Sequence, residues 1–113
     1  MSWIKDIHDI GVQYFPKKES LDVYMDRDRS TYYIYYINTS DRPIEMVDIH
    51  INNVQLNSFN KVSGLERDTK FTLHINQQKE IKIYSSKDDP KPKTVQFYLK
   101  SRLGKVKKLE FHL

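Results

Sequence analysis

The chain has 113 residues, enough for one domain with its own core and too few for two of ordinary size. It contains no cysteine, which excludes disulfides, thiolate metal sites and cysteine nucleophiles and fits a reducing compartment. The formal charge of +4 is unevenly spread: residues 1–50 hold six Lys or Arg against nine Asp or Glu, whereas residues 87–113 hold eight against three.

At the N-terminus, Trp3, Ile4, Ile7 and Ile10 recur at helical spacing, with Asp6 and Asp9 opposite. Ser2 suits an N-cap and Gly11 a stop, so a short amphipathic helix is expected over 2–10. Trp3 would plug the core or dock a partner. The helix lacks the Lys/Arg-rich polar face of a membrane-surface helix. No basic flank precedes an apolar leader, and no run approaches the roughly 18 apolar residues of a membrane span. A cytoplasmic protein without a membrane span is therefore expected.

Strand signals follow. The chain has no alanine, and its eight tyrosines and five phenylalanines favour strands over helices. "LDVYMD" (21–26) turns Leu21, Val23 and Met25 inward, and "DRDRS" is a charged turn. "TYYIYYIN" (31–38) places Tyr32, Ile34 and Tyr36 on one face and Tyr33, Tyr35 and Ile37 on the other. Apolar on both faces, it reads as a central strand, covered by the core on one side and by the helix or a partner protein on the other. An uncovered second face would make Tyr33 and Tyr35 an interface. "NTSDRP" is a turn by composition. "IEMVDIHI" (44–51) sets Val47, Ile49 and Ile51 on one face and Asp48 and His50 on the other. "VQLNSF" adds a short edge strand, and "NKVSGLERDTK" is a polar loop.

In the C-terminal half, Phe71, Leu73, Ile75, Ile81 and Ile83 all fall at odd positions. A hairpin with Ile75 opposite Ile81 would put them on one face; placement in two different sheets is the alternative. "SKDDPKPK" is an inter-strand loop whose prolines bar it from a central ladder. In "TVQFYLKSRLGKVKKLEFHL", a three-residue loop of Arg102, Leu103 and Gly104 pairs Ser101 with Lys105, Phe97 with Leu109 and Val95 with Phe111, keeping the apolar sets together. Gly104 then takes the left-handed position. The outer face carries Tyr98 and Lys100 opposite Lys108 and Val106, with Arg102, Lys105 and Lys107 near the tip. Tyr98, Lys100, Arg102, Lys105, Lys107 and Lys108 combine basic and aromatic character, as single-strand nucleic-acid binders do, and could equally meet an acidic partner. Basic residues on an edge also guard against sheet-to-sheet aggregation.

Catalytic patterns are missing. Asp48 and His50 share a strand face and supply two metal ligands, where a structural zinc needs four. There is no G-x-S-x-G, paired-carboxylate or glycine-rich phosphate motif, and glycines number three. The sequence therefore predicts no enzyme, no metal or other cofactor and no small-molecule substrate.

Seven or eight short antiparallel strands with closely spaced turns define an all-β sandwich. "YYINTSDRPIEMVDIHINN" resembles the second and third strands of bacterial and phage immunoglobulin-like domains, and "LHINQQKEIKIYSS" and the final hairpin resemble their later strands. The likeness covers about residues 20–113. It implies an immunoglobulin-like β-sandwich, taken over 12–113; with the helix expected at 2–10 and the length of the chain, a single domain over 1–113 is expected. Many members are adhesion or spacer modules, and the family has no common catalytic residues. The expected role is a non-enzymatic protein-binding or assembly module, acting on a partner or as a homodimer. The alternative is single-stranded nucleic-acid binding through the basic hairpin. Abundant Lys, Ile, Asn and Tyr point to an AT-rich genome, as of a low-GC bacterium or its phage.

Overall fold

The structure, a computed structural model, describes residues 19–56, 61–62 (backbone only), 69–85, 89–101 and 103–113. The helix expected over 2–10, with Trp3, lies outside the described residues, as does Arg102.

Nine strands run through the described residues: β1 (Leu21–Asp28), β2 (Thr31–Asn38), β3 (Ile44–Ile51), β4 (Val54–Gln55), β5 (Lys61–Val62), β6 (Phe71–Leu73), β7 (Gln78–Tyr84), β8 (Thr94–Lys100) and β9 (Val106–His112). They form two antiparallel sheets. One is ordered β1-β2-β7-β5; the other is ordered β4-β3-β8-β9, with β6 also pairing with β3. The fold is all-β and sandwich-like.

Alternation decides what each sheet buries. From the first sheet, Tyr32, Ile34, Tyr36, Ile81 and Ile83 point into the core; from the second come Ile44, Met46, Ile49, Ile51, Val95, Phe97 and Leu99. The layers meet where the Tyr36 and Phe97 rings lie 4.9 Å apart, and Phe97 also meets Phe111 edge-on at 5.9 Å. Burying each of these large side chains contributes roughly 1.5–3 kcal/mol.

The β8–β9 hairpin has the expected register, Val95 opposite Phe111 and Phe97 opposite Leu109. Its loop is closed by the Ser101 amide donating to the Lys105 carbonyl at 2.7 Å, and Gly104 has φ 82°. Val47 departs from expectation. The register of β3 against β8 slips between Met46 and Asp48, so Val47 sits in a β-bulge. The bulge resets the alternation, and Ile44 and Met46 join Ile49 and Ile51 inside.

Residues 71–83 split between the two sheets instead of forming a hairpin: β6 pairs with β3 and β7 with β2. Ile75 is left 46% exposed in the connection. The loop expected over 60–70 contains β5, paired with the end of β7.

Candidate interface on the outer tyrosine face

β2 is central, flanked by β1 and β7, and its buried side is Tyr32, Ile34 and Tyr36. Its other side stays half-buried at Tyr33, Tyr35 and Ile37. The registers place Tyr24 beside Tyr35 beside Glu80, Asp26 beside Tyr33 beside Lys82, and Asp28 beside Thr31 beside Tyr84. Four tyrosines from three strands thus share one surface.

Tyr24 and Tyr35 stack at 4.9 Å and 22°, and Tyr33 and Tyr35 lie 6.3 Å apart at 15°. The Lys82 ammonium sits 5.8 Å from the Tyr33 ring and 5.6 Å from the Tyr84 ring. Tyr24 and Tyr84 are 52% and 42% exposed. Around them lie carboxylates, because the outward positions of β1 other than Tyr24 are Asp22, Asp26 and Asp28, and Glu80 projects from β7. Desolvation, then the charges of Glu80 and Asp26, push the Tyr35 phenol above its ordinary pKa, and Glu80 also takes its hydrogen bond. The result is an acidic-rimmed aromatic surface suited to contacting cations and planar groups.

Sequence reasoning finds Tyr33 and Tyr35 but misses Tyr24, Asp26, Glu80 and Tyr84. Their membership depends on which strands flank β2, and the alternation within any one strand cannot say that.

The basic hairpin is distributed differently. Tyr98, Lys100 and Lys108 share the outer face of the second sheet. Tyr98 packs on His50 at 4.7 Å, Lys100 lies 3.9 Å from Glu45, and Lys108 lies 3.9 Å from Glu110. Lys105 is exposed at the tip. Lys107 pairs with Leu99 on the inward side, and its ammonium lies 3.4 Å from Glu19.

Glu19 is buried and also meets Arg42 at 3.2 Å. Burial raises its pKa most strongly among the separate influences. Its backbone hydrogen bond, Arg42 and Lys107 together outweigh that and hold the carboxyl below its ordinary value. This cluster joins the start of β1, the β2–β3 loop and β9.

Asp48 and His50 hydrogen-bond at 2.9 Å, and among the described residues no three His, Asp or Glu side chains converge as a metal site would need. Nor is any described helix long and apolar enough to cross a membrane. No family model matches the sequence, and no curated protein sequence matches it.

Proposed function

We propose that this chain is a non-enzymatic protein-binding module that docks a partner with a Lys/Arg-rich surface on the outer face of β1, β2 and β7. The reading rests on the contiguous Tyr24–Tyr33–Tyr35–Tyr84 surface with its rim of Asp22, Asp26, Asp28 and Glu80. Tyrosines supply large contact area at low entropic cost and dominate binding hot spots. A carboxylate rim selects a basic partner and speeds its encounter. A symmetric homodimer through this face would instead bring the carboxylates of two copies together.

The module is read as immunoglobulin-like. The orders β1-β2-β7-β5 and β4-β3-β8-β9 correspond to the A-B-E-D and C′-C-F-G arrangement of that fold, with β6 as an addition. A cytoplasmic location rests on the cysteine-free composition, and a low-GC bacterial or phage source on the residue usage.

The test combines affinity capture with size exclusion and light scattering, at low and high salt. A basic protein held by the native chain, released by salt and lost on Tyr24→Ser plus Tyr35→Ser, but kept by Lys105→Ala plus Lys108→Ala, is the expected outcome. A dimer abolished by the tyrosine changes would reassign the face to a second copy. Co-purifying nucleic acid lost only with the lysines would move the function to the hairpin.

A further inference from the structure

A second surface lies where the two sheets open at the β1–β2 turn. A cleft of about 520 Å³ is lined by Arg27, Arg29, Ser30, Tyr32, Ser85, Asp89 and Lys91. Among the described residues that line it, three are cationic and one is a carboxylate, with hydroxyls beside them. Among the described residues, Arg29 and Lys91 have no side-chain ion pair, and Arg27 contacts only its neighbours in the turn and Tyr32.

Specific contacts hold the Arg27 guanidinium and the backbone of Lys91. Arg27 occupies the inward position after Leu21, Val23 and Met25, where the core ends, and its guanidinium lies 5.3 Å over the Tyr32 ring. Its Nε donates to the Arg29 carbonyl at 2.8 Å, which orients the guanidinium. The Ser85 amide donates to the Ser30 carbonyl at 2.9 Å, fixing β7 to the turn. The Asn52 side-chain amide donates to the Lys91 carbonyl at 2.9 Å, while its Oδ1 accepts from the Lys93 and Thr94 amides, pinning the third cation's backbone.

Arg29 itself has φ 58° at the first position of a two-residue hairpin loop, where glycine is usual. A bulky residue is disfavoured in that conformation, and backbone outliers of this kind cluster at functional sites. Guanidinium forks match phosphate oxygens, and lysine and hydroxyl groups complete such sites. The volume falls within the range of small-molecule pockets, about 300–1,000 Å³.

We infer that this cleft binds a phosphorylated small molecule, its phosphate held by Arg27, Arg29 and Lys91 with Ser30 and Ser85 donating. The site is separate from the tyrosine face and stands without it.

The test is an NMR titration of the full chain's amides with inorganic pyrophosphate and inorganic phosphate at low salt. Saturable shifts at Arg29, Ser30, Ser85 and Lys91, with pyrophosphate the tighter ligand, are expected. Arg29→Gly should raise the Tm by relieving the turn, yet weaken pyrophosphate about tenfold. Arg27→Met, which keeps an unbranched side chain at this position but removes the guanidinium, should weaken binding similarly, and Lys108→Ala should leave it unchanged. No saturable shift up to about 10 mM, where even a site of ~1 mM Kd is mostly filled, would overturn the assignment. So would shifts centred on Lys105 and Lys108, or affinity unchanged in Arg29→Gly. A single-stranded oligonucleotide that outcompetes pyrophosphate at these residues would replace the small molecule with nucleic acid.

Discussion

Glu19→Gln tests the ion cluster that closes one end of the fold. The side chain is 7% exposed and faces Arg42 at 3.2 Å and Lys107 at 3.4 Å. Two hydrogen bonds to charged groups would together contribute several kcal/mol if fully buried, at about 1.5–3 kcal/mol each. Both distances are long, and the two cations keep 22% and 31% of their exposure, so solvent screens part of the gain. Arg42 also retains Asp41 at 3.6 Å in the variant. A loss of about 2 kcal/mol follows, or about 8 °C in Tm for a domain of this size.

The pH dependence separates charge from shape. The folded-state pKa of Glu19 lies below its unfolded value, so its stabilisation is complete above the ordinary glutamate range, about 4.3. It is lost as pH falls through the lowered folded value. Thermal unfolding followed by circular dichroism should therefore show the gap between native chain and Glu19→Gln at neutral pH, narrowing in acid. Lys108→Ala, which breaks an exposed 3.9 Å pair with Glu110, should shift stability by less than about 0.5 kcal/mol. A gap that stays constant from pH 7 into acid, or an unshifted Tm at neutral pH, would refute the electrostatic account.

Phe97→Ala removes a fully buried ring packed on Tyr36 and Phe111 and should cost about 3–5 kcal/mol, read from the urea midpoint. Gly104→Ala adds a methyl group with nothing within 4 Å, yet at φ 82° it should destabilise by about 1 kcal/mol through the backbone alone. In ultraviolet titration of the phenols, Tyr35→Phe should remove a tyrosine that ionises above the ordinary value. Glu80→Gln should bring that transition to lower pH by removing the neighbouring carboxylate.

Sequence legibility follows the range over which each feature is determined. The β8–β9 hairpin is readable because odd-numbered apolar residues on both strands and a single glycine admit one loop length, and Val95 then meets Phe111. Phe71–Leu73 and Ile81–Ile83 show the same alternation, but alternation names a face and never a partner; the two segments join different sheets. The Val47 bulge hides for a related reason: "IEMVDIHI" offers two overlapping odd and even series, and β8 decides where one hands over to the other. Glu19 reads as one more polar residue before a strand, since its cations lie 23 and 88 residues away.

β1 carries both proposed surfaces, and its register decides both. Its even positions, Asp22, Tyr24, Asp26 and Asp28, supply the acidic edge of the tyrosine face; its odd positions fill the core until Arg27 reaches the cleft. A slip of one residue would exchange the two sets, turning Asp22 and Asp26 inward and exposing Leu21, Val23 and Met25. The segment before the strand opposes such a slip. Glu19 is tied to Arg42 and Lys107, Ser20 Oγ lies 2.8 Å from Thr39 Oγ1, and the Thr39 amide donates to the Ser20 carbonyl at 3.2 Å. The ion cluster therefore bears on both proposed surfaces by holding register at one end of β1 while the Arg29–Ser30 turn holds it at the other. Loosening the first end should weaken both surfaces together, whereas Arg29→Gly acts on the cleft alone.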